Sequence, residues 1–97
     1  MIANNLKADS TVENLLGSKA RIKILKLLAK NEELSISQII RGTNLNHTSV
    51  KYHLAYLKSY NLVQEKIFGR IKIYRYRFEN LRAKSLGKLI EIWEGGL

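Results

Sequence analysis

The chain contains no cysteine and no proline, only two histidines, and a single tryptophan in 97 residues. Without cysteine there is no disulfide framework, no thiolate chemistry and no Cys-based zinc site. His47 and His53 stand six positions apart, which keeps them off one helix face as a ligand pair. No apolar run approaches the roughly 20 residues that span a bilayer. The opening MIANNLKADS lacks the charged start and apolar stretch of a secretory signal, so the expected location is the cytoplasm, at the nucleoid. Also missing are a Gly-rich phosphate loop with a following Lys-Ser/Thr, paired carboxylates in an apolar pattern, and a nucleophile with an evident base. Catalysis is not expected, and no cofactor or metal is implied. Lack of cysteine and proline beside abundant Ile and Lys is compatible with a thermophilic source.

What is present is positive charge. The formal net charge is +9 and the isoelectric point is near 10, a balance that bears on partners more than on fold. Residues 1–50 carry seven Lys/Arg against four Asp/Glu, and residues 51–97 carry ten against four. Five cations, Lys66, Arg70, Lys72, Arg75 and Arg77, follow one another without an acid. Such a run by itself is often only a solvated face. An anionic partner is nevertheless called for: nucleic acid first, then an acidic membrane or protein. The length suits one domain with a single core.

Residues 1–9 are polar and patternless and read as a loose arm. Ser10-Thr11-Val12-Glu13 has capping-box spacing, with Ser10 as the cap of a short helix closing near Gly17 in the left-handed conformation. Ser18 caps a longer helix to about Lys30, whose apolar face is Ala20, Ile24, Leu27 and Leu28, with Leu25 beside it. Leu34-Ser35-Ile36 suits a very short strand, and Ser37 a cap for a helix from Gln38 to Arg41. Asn46 caps the next helix, His47 to about Tyr60, buried through Val50, Leu54 and Leu57, and Asn61 suits its left-handed end.

Residues 62–68 and 71–78 are rich in Ile, Val, Tyr and Phe and flank the turn signal Gly69-Arg70. Pairing about that turn sets Phe68 opposite Ile71 and Val63 opposite Tyr76, with Tyr74, Tyr76 and Phe78 on the core. The other face then carries Leu62, Phe68, Ile71 and Ile73. Local packing or a bulge would cover it, or a contact with a second subunit. Asn80 caps a final helix with an apolar stripe of Leu81, Ser85, Leu86, Leu89, Ile90 and Trp93, which either covers its own core or pairs with a second copy.

A helix, a tight connection, a capped helix and a basic hairpin predict a mainly α fold with a small β-hairpin wing (α+β), a winged helix-turn-helix. The predicted division is an arm at 1–9, a DNA-binding domain at 10–79 and a dimerisation helix at 80–97 packed on the same domain. The second helix would enter the major groove and the hairpin would follow the backbone or minor groove. Candidate DNA contacts are Asn46, His47, Thr48, Ser49, Lys51, Tyr52 and Tyr56 on the helix, with Lys66, Arg70 and Lys72 on the wing. Asn46 is foremost a cap, Lys51 and Tyr52 are the leading base readers, and Arg75 and Arg77 are supplementary. His53 flanks the buried stripe and is expected to be a structural histidine satisfied by a hydrogen bond. Alternatives are an architectural, chromatin-like DNA binder with little base discrimination, or a protein-interaction module.

The segment from Ser18 to Phe78 resembles the ArsR-like group of small winged-helix regulators. The residues that carry the likeness are SKARIKILKLLAK, LSISQIIRGTNLNHTSVKYHLAYLKSYNLV and FGRIKIYRYRF. The resemblance implies a homodimer joined through the terminal helices at Leu86, Leu89, Ile90 and Trp93, bound to a partly palindromic double-stranded DNA site. Many relatives sense metals through cysteines or His/Asp pairs, which this chain lacks, so metal sensing of that kind is not expected. Tyr52 stands where relatives often have Arg or Lys, so their base preferences do not carry over. The sequence shows no pattern for a small-molecule effector.

Overall fold

A computed structural model describes residues 11–95; the arm expected at 1–9 lies outside them. The order is α1 (Val12–Leu16), α2 (Lys19–Asn31), β1 (Glu33–Ser35), α3 (Ile36–Thr43), α4 (His47–Ser59), β2 (Val63–Phe68), β3 (Ile71–Tyr76) and α5 (Leu81–Trp93). The sheet is antiparallel in the order β1-β3-β2, so the short strand pairs with the returning arm of the hairpin. This is a mainly helical winged helix-turn-helix.

Side-chain caps set most helix starts, and two of the expected ones move. Thr11, not Ser10, caps α1 by accepting from the Asn14 N–H at 3.3 Å. Gly17 ends α1 with right-handed angles (φ −76°, ψ −5°) rather than left-handed ones. Ser18 caps α2 as expected, accepting from the Arg21 N–H at 3.1 Å. Ser35, not Ser37, caps α3 because Gln38 answers it three residues on. The Gln38 N–H donates to Ser35 Oγ at 3.2 Å while the Ser35 N–H donates to Gln38 Oε1 at 2.8 Å. Two orphan amides are satisfied reciprocally, so α3 starts two residues earlier than predicted; it also ends two residues later.

The buried face of α2 is also turned from the predicted one. Arg21, Ile24, Leu25 and Leu28 are buried, whereas Ala20 and Leu27 are only half-buried. Leu27 instead packs toward Gly42 of α3: a Cβ there would lie 2.6 Å from Leu27 Cδ2, so a side chain at that position would require Leu27 to shift.

Two features aim the wing. At the end of α4, Asn61 takes φ 61°, the Asn61 N–H donates to the Lys58 carbonyl, and the Leu62 N–H donates to the Leu57 carbonyl. This is the Schellman arrangement, which turns the chain sharply from helix to strand. It also swings Leu62 into the core, correcting its assignment to the outer face. The hairpin register is the predicted one from Val63↔Tyr76 to Phe68↔Ile71, with Gly69 at φ 61° in the turn. Tyr74 and Tyr76 are buried as expected, but Phe78 lies past the strand and is exposed, its ring 4.6 Å from that of Tyr76.

The core joins Ile24, Leu25 and Leu28 of α2, Ile39 of α3, Val50, Leu54 and Leu57 of α4, Leu62, Val63, Tyr74 and Tyr76 of the wing base, and Ala83 and Leu86 of α5. Asn80 caps α5, accepting from the Ala83 N–H at 3.1 Å. The Tyr76 hydroxyl then ties α5 to the sheet by donating to the Ala83 carbonyl at 2.7 Å. Burial holds that phenol protonated, with its pKa pushed up to about 12. Leu86, predicted for a contact between subunits, belongs to the chain's own core, and Ser85 is exposed. Leu81, Leu89, Ile92 and Trp93 form the uncovered side of α5, with Trp93 80% exposed.

Candidate nucleic-acid interface

Helix α4 is held from behind and open in front. Val50, Leu54 and Leu57 recur at i, i+4 and i+7 and are buried, which fixes the helix about its own axis. That rotation turns His47, Thr48, Lys51 and Tyr52 to solvent, Tyr52 at 65% exposure. Ser49 is half-buried. Asn46 is committed to the cap: its Oδ1 accepts the Ser49 N–H at 2.7 Å. The first turn holds no acidic residue. Its unpaired backbone amides and the positive end of the helix dipole therefore face outward unopposed, as a phosphate contact requires.

Tyr56 departs from the expected set. It is half-buried, with the Arg21 guanidinium 3.6 Å above its ring and the Tyr60 ring 4.9 Å away. Arg21 is the residue the sequence reading missed. It is buried, stacks on α4, and donates from Nη1 to the Asn14 carbonyl of α1 at 2.6 Å. One side chain thus joins α1, α2 and α4. A signal was present in the sequence: Arg21, Ile24, Leu25 and Leu28 have helical spacing, which puts the arginine on the apolar stripe.

His53 differs from expectation too. Its Nδ1 is buried without a hydrogen-bond partner, and its ring meets that of Tyr52 edge-on at 5.1 Å. Burial first, and the Arg21 charge second, lower its pKa from the ordinary 6.5. The ring is therefore neutral at physiological pH, and α4 presents its cations without a histidinium behind them.

The wing cations fall into two groups. Lys66 is paired with Glu33 at 2.6 Å. Arg75 and Arg77 both reach Glu79, at 2.7 and 3.1 Å, and Arg75 also donates to Gln64. Those two guanidiniums, that of Arg75 foremost, bring the Glu79 carboxyl down to about 2. By contrast Arg70 and Lys72 are exposed at the wing tip and make no ion pair among the described residues. Lys51 on α4 is in the same condition.

A small network fixes the wing against the helix. Glu65 accepts from the Tyr74 hydroxyl at 2.6 Å and pairs with Lys58 of α4 at 2.9 Å. The Tyr74 bond, then Lys58, lower the Glu65 pKa, while burial and Glu65 raise that of Tyr74. Helix α4 and the basic hairpin are thereby set as one unit.

Among the described residues no helix is long and apolar enough to cross a membrane. An open groove of about 1270 Å³ lies between α2 and α5, and none of its lining residues comes from α4 or the wing strands. The charged face and this groove are therefore separate features.

Known proteins share this arrangement. No curated protein matches the chain in sequence. Among solved structures, reduced HlyU from Vibrio cholerae is 24% identical with a TM-score of 0.74, the match covering 96% of this chain and 94% of that one. A Mycobacterium bovis domain, described as a homodimeric winged helix-turn-helix DNA-binding domain of a possible ArsR-family regulator, is 28% identical. Its TM-score is 0.71, over 97% of this chain and 84% of that one. Sso10a-2, a DNA-binding protein from Sulfolobus solfataricus, is 20% identical with a TM-score of 0.60, over 80% and 79%. The family model for bacterial regulatory proteins of the arsR family matches residues 18–65, from the cap of α2 into the first strand of the wing. The chain belongs to the arsR family of DNA-binding winged helix-turn-helix transcription regulators, which are not enzymes.

Proposed function

We propose that the chain regulates transcription as a homodimer that places α4 of each protomer in successive major grooves of a dyad-like site. The observation that carries the contact assignment is the partition of polar side chains. Those of His47, Thr48, Lys51, Tyr52, Arg70 and Lys72 face solvent without a hydrogen bond or ion pair among the described residues, while the remaining wing cations are matched by acids. Lys51 and Tyr52 lie one turn into the helix, where they would read base edges. His47, Thr48, Ser49 and the α4 amides would hold phosphates, and Asn46 orients that turn through its cap. Arg70 and Lys72 would grip the neighbouring backbone. Tyr56 and Lys66 act behind this surface.

The dimer is supported by the uncovered Leu89, Ile92 and Trp93 of α5, with half-buried Ile90 at their edge, and by the homodimeric state of the Mycobacterium bovis relative. In this reading residues 80–97 serve both the chain's own core and the subunit contact, and the protein works in the cytoplasm. Selection of sites from a random DNA pool tests the whole proposal. Two half-sites about one helical turn, or ~34 Å, apart are expected; an enriched pool without dyad symmetry would overturn the dimeric reading.

A second reading is an architectural DNA binder with little base discrimination. The +9 charge favours it, since phosphate neutralisation alone supplies non-specific affinity. Competition against random-sequence DNA separates the two. A regulator keeps its site with a preference on the order of a thousandfold, an architectural protein with almost none.

A further inference from the structure

We propose that the wing tip is an apolar wedge that enters the minor groove and unstacks a base step, bending the DNA; this rests on the DNA-binding reading above. Phe68 and Ile71 are Cα partners at the end of the hairpin and so share one face. They are 60% and 56% exposed, and Ile67 on the opposite face is 61% exposed. Three large apolar side chains in five consecutive residues stand in water at the point of a basic hairpin, where a merely solvated turn has no use for them.

The tip is also free to reach. β1 pairs with β3 only from Ile73 to Arg75, so Ile67–Phe68 and Ile71–Lys72 overhang the three-stranded part. Two residues per strand at ~3.4 Å each give a projection of about 7 Å before the turn is counted. The minor groove is about 7.5 Å deep but only about 6 Å wide. A two-stranded ribbon cannot enter it, whereas a pair of side chains at the ribbon's tip can, and Phe and Ile are residues that serve as such wedges.

Charge selects the occupant. Arg70 lies in the turn and Lys72 follows Ile71, with no acid between Glu65 and Glu79. The tip of a second copy would bring like charges together, whereas the phosphates that border the groove are complementary. The Glu65, Lys58 and Tyr74 network holds the wing base rigid, so the tip can press on the duplex rather than fold away.

The test uses the full chain and a duplex enriched from the random pool, with 2-aminopurine at successive steps beneath the wing and dyes at both ends. The intact protein should raise 2-aminopurine fluorescence at one step per half-site and shorten the end-to-end distance. F68A/I71A should keep the fold by circular dichroism and the same salt dependence, bind about tenfold more weakly, and lose both signals. A bound duplex that stays straight and stacked overturns the wedge. So does an F68A/I71A variant that still unstacks the step, or one whose oligomeric mass falls. Failure of the intact protein to bind any duplex instead refutes the DNA-binding reading itself.

Discussion

Replacing Arg70 and Lys72 together with alanine should change the salt dependence of DNA binding more than any other pair of wing substitutions. Each phosphate neutralised releases counterions and contributes about 0.9 to the slope of log K against log salt. Arg70 and Lys72 bring net positive charge to the backbone because neither is held in an ion pair among the described residues, and Glu65, which Lys72 reaches only through its field, is already paired with Lys58. Two cations in each of two protomers make the slope shallower by about 3.6. Between 50 and 200 mM salt the intact dimer should then lose roughly a hundredfold more affinity than the variant does. Lys66 and Arg75 are the control pair. When Lys66 swings to a phosphate it leaves Glu33 bare beside the DNA, and when Arg75 does so it leaves Glu79 to Arg77 alone, so the net charge delivered is small. The K66A/R75A variant should retain more than half of the slope. Fluorescence anisotropy of a labelled duplex across a salt series measures both variants. Equal slopes for the two variants, or an unchanged slope for R70A/K72A, would refute the division of the wing into matched and unmatched cations.

Tyr76→Phe removes the donor to the Ala83 carbonyl inside the core and should lower stability by about 1–2 kcal/mol; a urea midpoint that does not move would mean that this bond does not hold α5 to the sheet. For His53 the folded pKa lies below the unfolded 6.5, so the unfolded chain takes up the proton first. The stability this contributes is complete above pH 6.5 and is lost as pH falls through the folded pKa. The melting temperature of the intact protein should therefore decline as pH falls from 7.5 to 5.5, and His53→Gln should flatten that part of the curve; parallel curves would count against a neutral buried imidazole. Leu89→Ser combined with Trp93→Ser should halve the mass seen by sedimentation and leave the helical signal intact, since both side chains are exposed in the single chain. A dimer surviving this pair would move the subunit contact elsewhere.

Much of the fold was legible because it is written in local chemistry. Asn46, Asn61 and Gly69 mark boundaries by what their own side chains or backbone angles permit, and Val63 to Tyr76 could be registered from the turn outward. The caps that shifted did so by competition: Ser35 and Ser37 are equivalent as residues, and only the reply of Gln38 distinguishes them. Burial was harder to read. Arg21 and Tyr56 were placed by how α1, α2 and α4 meet, Leu62 by the turn that closes α4, and Leu86 by the choice of α5 to cover the wing base. Phe78 escaped the core because the strand ends two residues before it.

By itself the sequence determined the order of helices and strands, the open polar face of α4 and a basic hairpin after it, because caps, turn residues and helical spacing act within a few residues. Only the tertiary structure decided which cations stay available for DNA. Lys66 and Glu33 are 33 residues apart in the chain yet 2.6 Å apart in space, and the strand pairing that brings them together is also what leaves Arg70, Lys72 and the apolar tip projecting beyond the sheet.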